Sequence, residues 1–234
     1  MKNLIFAMVL LLSVSTYGQG TKKFNYQLNA GSTLSIPYNK LISNNYGRYQ
    51  KSYCNAGFFA EGHLIYNITN RYSLLTGINY EYNNLRINSV LGAETLKVTI
   101  YSQRINLPVE FRCKVLALKP IYICAGGYIG TGISKKERGT RYIDFSMLHE
   151  IDPNDPLLNS TQIQESPYSR DYHNGFTLTY GLSARIEYIL KMNDKTGMVV
   201  FSGCSYGWSN STENNFKTEK DLNFLAKLGV GINI

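Results

Sequence analysis

The sequence predicts an all-β protein, an eight-stranded antiparallel up-and-down β-barrel that spans a membrane. Three observations predict it. Apolar and polar residues alternate with period two along most of the chain, the pattern of strands with two unlike faces. The connections between alternating segments are short at one end and long at the other, as in outer-membrane barrels. The less apolar face is rich in Gly, Ser, Thr and Asn and carries charges of both signs, which suits a narrow lumen better than a surface bathed in water. Composition excludes the rivals. Charged residues are only 17% of the 234 and hydrophobic residues 44%, with 19 tyrosines, 10 phenylalanines and 1 tryptophan. A disordered chain would have fewer aromatics and more charge. No run approaches the ~18 apolar residues of a membrane helix.

Residues 1–20 read MKNLIFAMVLLLSVSTYGQG. Lys2 supplies a positive start, Leu4 to Leu12 are uninterruptedly apolar, and Thr16 and Gly18 place small residues at the −3 and −1 positions of a cleavage site. This is a Sec signal peptide over 1–18, leaving a single barrel domain over 19–234. The first cysteine after it is Cys54, too distant for a lipoprotein anchor.

Eight strands follow, at roughly 24–36, 54–68, 71–88, 96–116, 120–134, 174–190, 197–210 and 221–234. In the first, Phe24, Tyr26, Leu28 and Ala30 oppose Asn25, Gln27, Asn29 and Gly31. In the fourth, Tyr101, Ile105, Leu107, Val109, Phe111 and Cys113 oppose Ser102, Arg104, Asn106, Glu110, Arg112 and Lys114. In the sixth, Phe176, Leu178, Tyr180, Leu182, Ala184, Ile186 and Tyr188 oppose Thr177, Thr179, Gly181, Ser183, Arg185 and Glu187. The last alternates over fourteen residues, Leu222 to Ile234 on even positions against Asp221 to Asn233 on odd ones, far beyond the ~5–6 residues of an ordinary strand. The connections at 67–71, 117–120 and 191–196 are tight; those at 37–53 and 89–95 are longer, and 135–173 is a long external loop.

Alternation alone fits a lipocalin-like soluble carrier as well as a membrane barrel, and the polar face decides between them. Its charges are Glu61, Glu81, Arg104, Glu110, Arg112, Arg185, Glu187 and Lys227. Mixed charge persists inside a protein only when paired and hydrogen-bonded, so these eight are read as a salt-bridged network filling the lumen. Tyr66, Tyr72 and Tyr188 fall near tight turns, while Tyr80, Tyr82 and Tyr101 fall towards the opposite strand ends. Tyr72 and Tyr82 share a face ten residues apart, which at a ~40° tilt is about 25 Å, the height of an outer-membrane apolar band. These six are read as two aromatic girdles.

The block Arg104-Ile105-Asn106-Leu107-Pro108-Val109-Glu110-Phe111, the turn ending at Lys119-Pro120, and Ile121-Tyr122-Ile123-Cys124-Ala125-Gly126-Gly127-Tyr128 together resemble the PorT-like outer-membrane β-barrel family of Bacteroidota, with its proline-containing strand and glycine-rich partner. The resemblance implies integration in the cell outer membrane and recognition by the outer-membrane insertion machinery. Leu228, Val230 and Ile232 keep the terminal-strand pattern that this machinery reads, with Ile234 where such barrels often carry Phe or Trp. It also implies a link to protein secretion, since one member of the family has one.

Catalytic, cofactor and metal sites are not predicted. His63 sits on the polar face beside Glu61, and His149 and His173 lie in the long loop. A Ser–His lipid-modifying site at His63 is the enzymatic alternative, against a hydrogen-bonded lumen residue. Asp152-Pro153-Asn154-Asp155-Pro156 lacks the glycine and distal glutamate of a calcium loop and reads as a stiffened turn. Cys113 and Cys124 flank a turn; either they face each other across the hairpin or they serve, like Cys54 and Cys204, as small apolar strand residues. The formal net charge of +8 is not concentrated in a basic run, so nucleic acid is not an expected partner. The expected partners are outer-membrane lipid and lipopolysaccharide, which basic external loops would face, and another envelope or secreted protein held by loop 135–173, whose Ile143, Phe145, Met147 and Leu148 need cover.

Overall fold

The computed structural model describes residues 23–37, 48–115, 120–144, 163–172, 177–193, 196–209 and 223–234. The expected signal peptide, His149, His173 and the 152–156 turn lie outside the described residues. Ten strands are present among the described residues: β1 (Phe24–Pro37), β2 (Arg48–Tyr53), β3 (Asn55–Asn67), β4 (Tyr72–Leu91), β5 (Glu94–Lys114), β6 (Ile121–Asp144), β7 (Ile163–Tyr172), β8 (Thr177–Lys191), β9 (Gly197–Ser209) and β10 (Asn223–Asn233). Every pairing is antiparallel, and the order β4-β3-β1-β10-β9-β8-β6-β5 is closed by β4 against β5. The ring therefore has eight strands, as the alternation predicts, and no free edge.

The remaining two strands are a departure from the expected eight. β4, β5 and β6 have 20, 21 and 24 residues, whereas β10 has 11. The three long strands run past the rim and carry β2 on one flank and β7 on the other. The result is a five-stranded sheet, β2-β4-β5-β6-β7, standing above the barrel at the end opposite the tight turns.

Two sequence expectations are corrected here. Residues 135–144 continue β6 and residues 163–172 form β7, so only 145–162 and 173 of the expected 135–173 loop are left, and these lie outside the described residues. The expected 89–95 connection is a two-residue turn of Gly92 and Ala93, with Gly92 at φ 55°, a left-handed conformation that glycine adopts without Cβ strain.

Three irregularities shape the wall. The β5–β6 register shifts between Gln103 and Arg104, a bulge that re-phases β6, so its inward residues are even-numbered below Ile133 and odd-numbered above. Between β2 and β3, Tyr53 opposes Arg86 but Phe58 opposes Tyr82, so one extra residue is taken up around Cys54. Between β4 and β5 the ladder breaks at Gly77 and Ile78 and resumes at Asn79↔Asn106 with unchanged register. Proline explains that gap. Lys114 donates to Arg71 O across the same pair at 2.8 Å, so even-numbered residues of lower β5 turn their amides towards β4, and Pro108 has none to offer. The Thr76 hydroxyl instead donates to Pro108 O at 3.0 Å.

Candidate functional site

Apolar side chains line the outside of the ring and polar ones fill it. Leu28, Leu182 and Leu228 are 60%, 60% and 63% exposed on the isolated chain, an arrangement that water would penalise and acyl chains welcome. Inside, Gln27, Asn29, Thr33, Asn79, Asn106 and Thr179 are buried together with the charges.

All eight charged residues singled out from the sequence meet in the lumen. Arg185 is the hub: its guanidinium lies 2.9 Å from Glu61, 3.2 Å from Glu110 and 3.0 Å from Glu187. Arg112 reaches Glu187 at 2.9 Å. Lys227 joins Glu81 at 2.6 Å to Glu61 at 3.4 Å, and Arg104 approaches Glu81 at 3.5 Å. Four carboxylates and four cations thus form one connected, formally neutral cluster drawn from β3, β4, β5, β8 and β10. Amides and a hydroxyl also donate into the cluster: Gln27 to Glu187 at 3.0 Å, Asn79 to Glu81 at 2.9 Å and Ser183 to Glu110 at 2.7 Å, while Arg104 Nε and Arg112 Nη2 are buried without a hydrogen-bond partner. Ion pairing and these hydrogen bonds together are what make buried charge tolerable.

His63 belongs to this cluster. Its Nδ1 lies 3.4 Å from Asn29 Nδ2 and 3.3 Å from Arg185 Nη2, and its Nε2 lies 3.7 Å from Glu61. The ring faces the lumen and is 4% exposed, turned away from the lipid face where an acyl-chain enzyme would need it. Cys113 and Cys124 do not face each other. Cys124 pairs in register with Arg112 and is buried in the lumen, whereas Cys113 pairs with Ile123 on the outer face; both are free.

Sequence reasoning missed the aromatic filling of the lumen. Phe59 and Phe201 pack at 5.6 Å. A Cβ on Gly229 would stand 2.7 Å from Phe59 and 2.8 Å from Phe201, so that glycine leaves room for both rings. Higher up, a Cβ on Gly207 would overlap the Tyr128 hydroxyl. The detectable signal was glycine on the inward parity, which marks places where a large neighbour crosses the lumen. Lys227 and Arg185 lie over Phe59 and Phe201 at 5.4 Å and 5.5 Å, and Arg112 lies over Tyr122 at 4.0 Å.

Of the six tyrosines expected to form girdles, Tyr72 stacks on Phe111 at 5.5 Å and Tyr66 packs on Phe24 at 5.1 Å near the tight turns, where Tyr188 is also exposed. Towards the other end Phe58 lies 6.0 Å from Tyr80 and 5.1 Å from Tyr82, and Tyr82 lies 6.4 Å from Tyr101. At the same end Trp208 contacts Tyr180 and Tyr206, at 5.7 Å and 4.9 Å between rings. These three share the outward parity at strand ends and were legible on that ground.

The sheet above the rim carries an ion pair on each of its faces. On the face that continues the lumen, Arg141 meets Glu94 at 2.8 Å and the Tyr168 hydroxyl donates to Glu137 at 3.1 Å. Burial pushes the Tyr168 phenol up, and the Glu137 carboxylate adds to the shift. On the opposite face Arg138 meets Asp171 at 2.6 Å, and this hydrogen bond raises the arginine further above its ordinary value.

A family model described as "Outer membrane protein beta-barrel domain" matches residues 18–234. No curated protein matches the chain. Among solved structures the chain is similar to Neisserial surface protein A at 12% identity, covering 92% of this chain and 99% of that one with a TM-score of 0.36. It is similar to OprG from Pseudomonas aeruginosa at 11% identity, covering 92% and 98% with a TM-score of 0.42. Ail, the attachment invasion locus protein of Yersinia pestis, aligns at 14% identity over 91% and 99% with a TM-score of 0.38.

Proposed function

Because the chain belongs to the family described as "Outer membrane protein beta-barrel domain", and is an outer-membrane β-barrel protein, we propose that it is a plugged, non-enzymatic barrel that holds a five-stranded sheet outside the cell as a binding platform. The observation that carries this reading is the lumen. A neutral network of Glu61, Glu81, Glu110, Glu187, Arg104, Arg112, Arg185 and Lys227 crosses it, with Phe59, Phe201 and Tyr128 packed alongside. An eight-stranded barrel has room for side chains and little else. The chain's elaboration lies instead in β2, β7 and the upper parts of β4–β6. Export on a Sec signal peptide over 1–18 and assembly by the outer-membrane insertion machinery complete the reading, with lipopolysaccharide and an envelope or secreted protein as partners of the sheet.

Conductance tests it. The refolded protein in a planar lipid bilayer is expected to give no stable open-channel steps; persistent steps of a size fit for small solutes would overturn the plugged reading. The motif Arg104–Phe111 with its internal Pro108 supports a finer placement in the PorT-like group of Bacteroidota and a role in secretion. Comparing proteins exported by a deletion strain and its parent tests that part alone: an unchanged set of exported proteins removes it.

A further inference from the structure

Between the upper girdle and the top of the sheet, the outward face of β2, β4, β5 and β6 carries a lattice of cations. Register places Asn84, Tyr101 and Lys136 in one row, Tyr53, Arg86, Thr99 and Arg138 in the next, and Lys51, Asn88, Lys97 and Thr140 in the third. Arg86 and Lys97 are diagonal neighbours across β4 and β5, as are Lys97 and Arg138 across β5 and β6, a spacing of about 7–8 Å. Lys51, Arg86, Lys97 and Lys136 are all exposed, and none has a carboxylate partner among the described residues. Arg138 is held by Asp171 at the β7 side. Lys97 lies over the Tyr142 ring at 4.8 Å and Lys51 over Tyr53 at 5.3 Å, so apolar ring faces stand beside the charges.

Two features make this more than a solvated face. First, although Arg138 on this face is paired with Asp171, which also stands opposite Lys136 in register, Lys51, Arg86 and Lys97 make no ion pair with a carboxylate among the described residues and stand among like charges that repel at such spacing. Such a cluster calls for a counter-charge from outside the chain. Second, its height is fixed. Arg86 is four residues above Tyr82 and Lys97 four residues above Tyr101, about 10 Å beyond the girdle at ~3.3 Å per residue and the usual tilt. Lipid phosphates and phosphorylated sugars stand in that layer. The hydroxyls of Thr99 and Thr140 between the cations supply neutral donors of the kind that bind phosphate oxygens and sugars, while Asn84 Nδ2 donates to Ala56 O at 2.8 Å and Asn88 Nδ2 to the Tyr53 hydroxyl at 3.4 Å.

We propose that Arg86, Lys97 and Lys136, with Lys51 at the margin, form a binding site for the phosphates of an outer-leaflet glycolipid, bounded on the β7 side by the Arg138–Asp171 pair. The site deepens the platform reading and rests on the chain's place in the outer membrane. It binds one flank of the barrel only and so fixes which side of the sheet lies down against the leaflet.

The test uses the full mature chain refolded into nanodiscs containing bis-phosphorylated lipid A or its dephosphorylated form with the same acyl chains. Lipid phosphate retained after dilution into detergent is measured, together with the temperature at which the heat-modifiable gel band shifts. The Arg86→Ser/Lys97→Ser/Lys136→Ser variant is compared with Lys23→Ser/Arg71→Ser at the tight-turn end. Removing each cation is expected to lower retention on the order of fivefold, with the control pair unchanged. The phosphorylated lipid should raise the wild-type transition above that in the dephosphorylated lipid, and the triple variant should lose that difference while keeping its band shift. Equal retention by triple variant and wild type overturns the site. Full displacement by millimolar inorganic pyrophosphate, with no preference between the two lipids, assigns the cluster to soluble anions and overturns the glycolipid. A chain with no heat-modifiable band at all fails as a barrel, and the site falls with it.

Discussion

The lower and upper halves of β4, β5 and β6 are the same strands in two surroundings, and they treat charge in opposite ways. Below the rim the ring is closed, and Glu81, Arg104, Glu110 and Arg112 are each less than a tenth exposed and joined in one cluster. Above it the same strands form an open sheet, and Arg86, Lys97 and Lys136 stand exposed on one face. Closure removes solvent, and without solvent an unpaired charge is costly. Openness lets charge remain unneutralised and therefore available to something else. The barrel half is over-determined and the sheet half is available, which is the division expected between an anchor and a platform.

The largest effect should come from the lumen hub. Arg185→Ala leaves Glu61, Glu110 and Glu187 short of a shared counter-charge. Removing one partner of a buried pair costs about 3–5 kcal/mol. The loss should appear as a lower urea midpoint for the gel-shift transition in detergent. Lys23→Ala, at an exposed position of the opposite rim, should change it by less than about 0.5 kcal/mol. If the two variants unfold together, the lumen charges do not hold the barrel.

Second comes packing. Gly207→Leu drives a side chain into the space of the Tyr128 phenol, and overpacking costs about 1–3 kcal/mol. Adding Tyr128→Ala should recover part of that loss, and a double variant no better than the single would place the strain elsewhere. In the open sheet, by contrast, Glu94→Gln breaks the pair with Arg141, whose side chain is 45% exposed. The expected cost is about 0.2–1 kcal/mol, and a double-mutant cycle with Arg141→Gln that gave several kcal/mol would erase the contrast between the two halves.

The ring was legible because its two faces meet two unlike solvents, acyl chains and a polar lumen. Leu178 to Tyr188 against Thr179 to Glu187 can be read from parity alone, and parity also brought the eight charges to one side. The sheet escaped for the converse reason. Lys135-Lys136-Glu137-Arg138-Gly139-Thr140-Arg141 is polar on both faces because both stand clear of the acyl chains, so period two carries no signal there. β2 and β7 are short and equally mixed. The ion pairs themselves, Arg185 to Glu61 across strands 124 residues apart, depend on register around the whole ring, which no single segment encodes.

The smallest expected effect on stability tests the sheet's flank. A free strand edge invites pairing with another chain, and among the described residues β7 pairs only with β6. Asp144 donates to Ala93 O at 2.8 Å, so even-numbered residues of upper β6 turn their amides towards β5 and odd-numbered ones towards β7. Thr140 opposite Pro167 is therefore a pair without mutual hydrogen bonds, and the Pro167 nitrogen lies on the outer edge. There it removes a donor that a neighbouring strand could use, without breaking any bond to β6. Pro167→Thr restores that donor. Folding stability should move by less than about 0.5 kcal/mol, because no existing hydrogen bond changes. Self-association should rise, seen as a larger dimer fraction by sedimentation in detergent at high protein concentration. Ser166→Thr is the matched control, on an amide already turned towards β6. Equal dimer fractions for the two variants would mean that the β7 edge is covered or indifferent, and that proline there is not a guard.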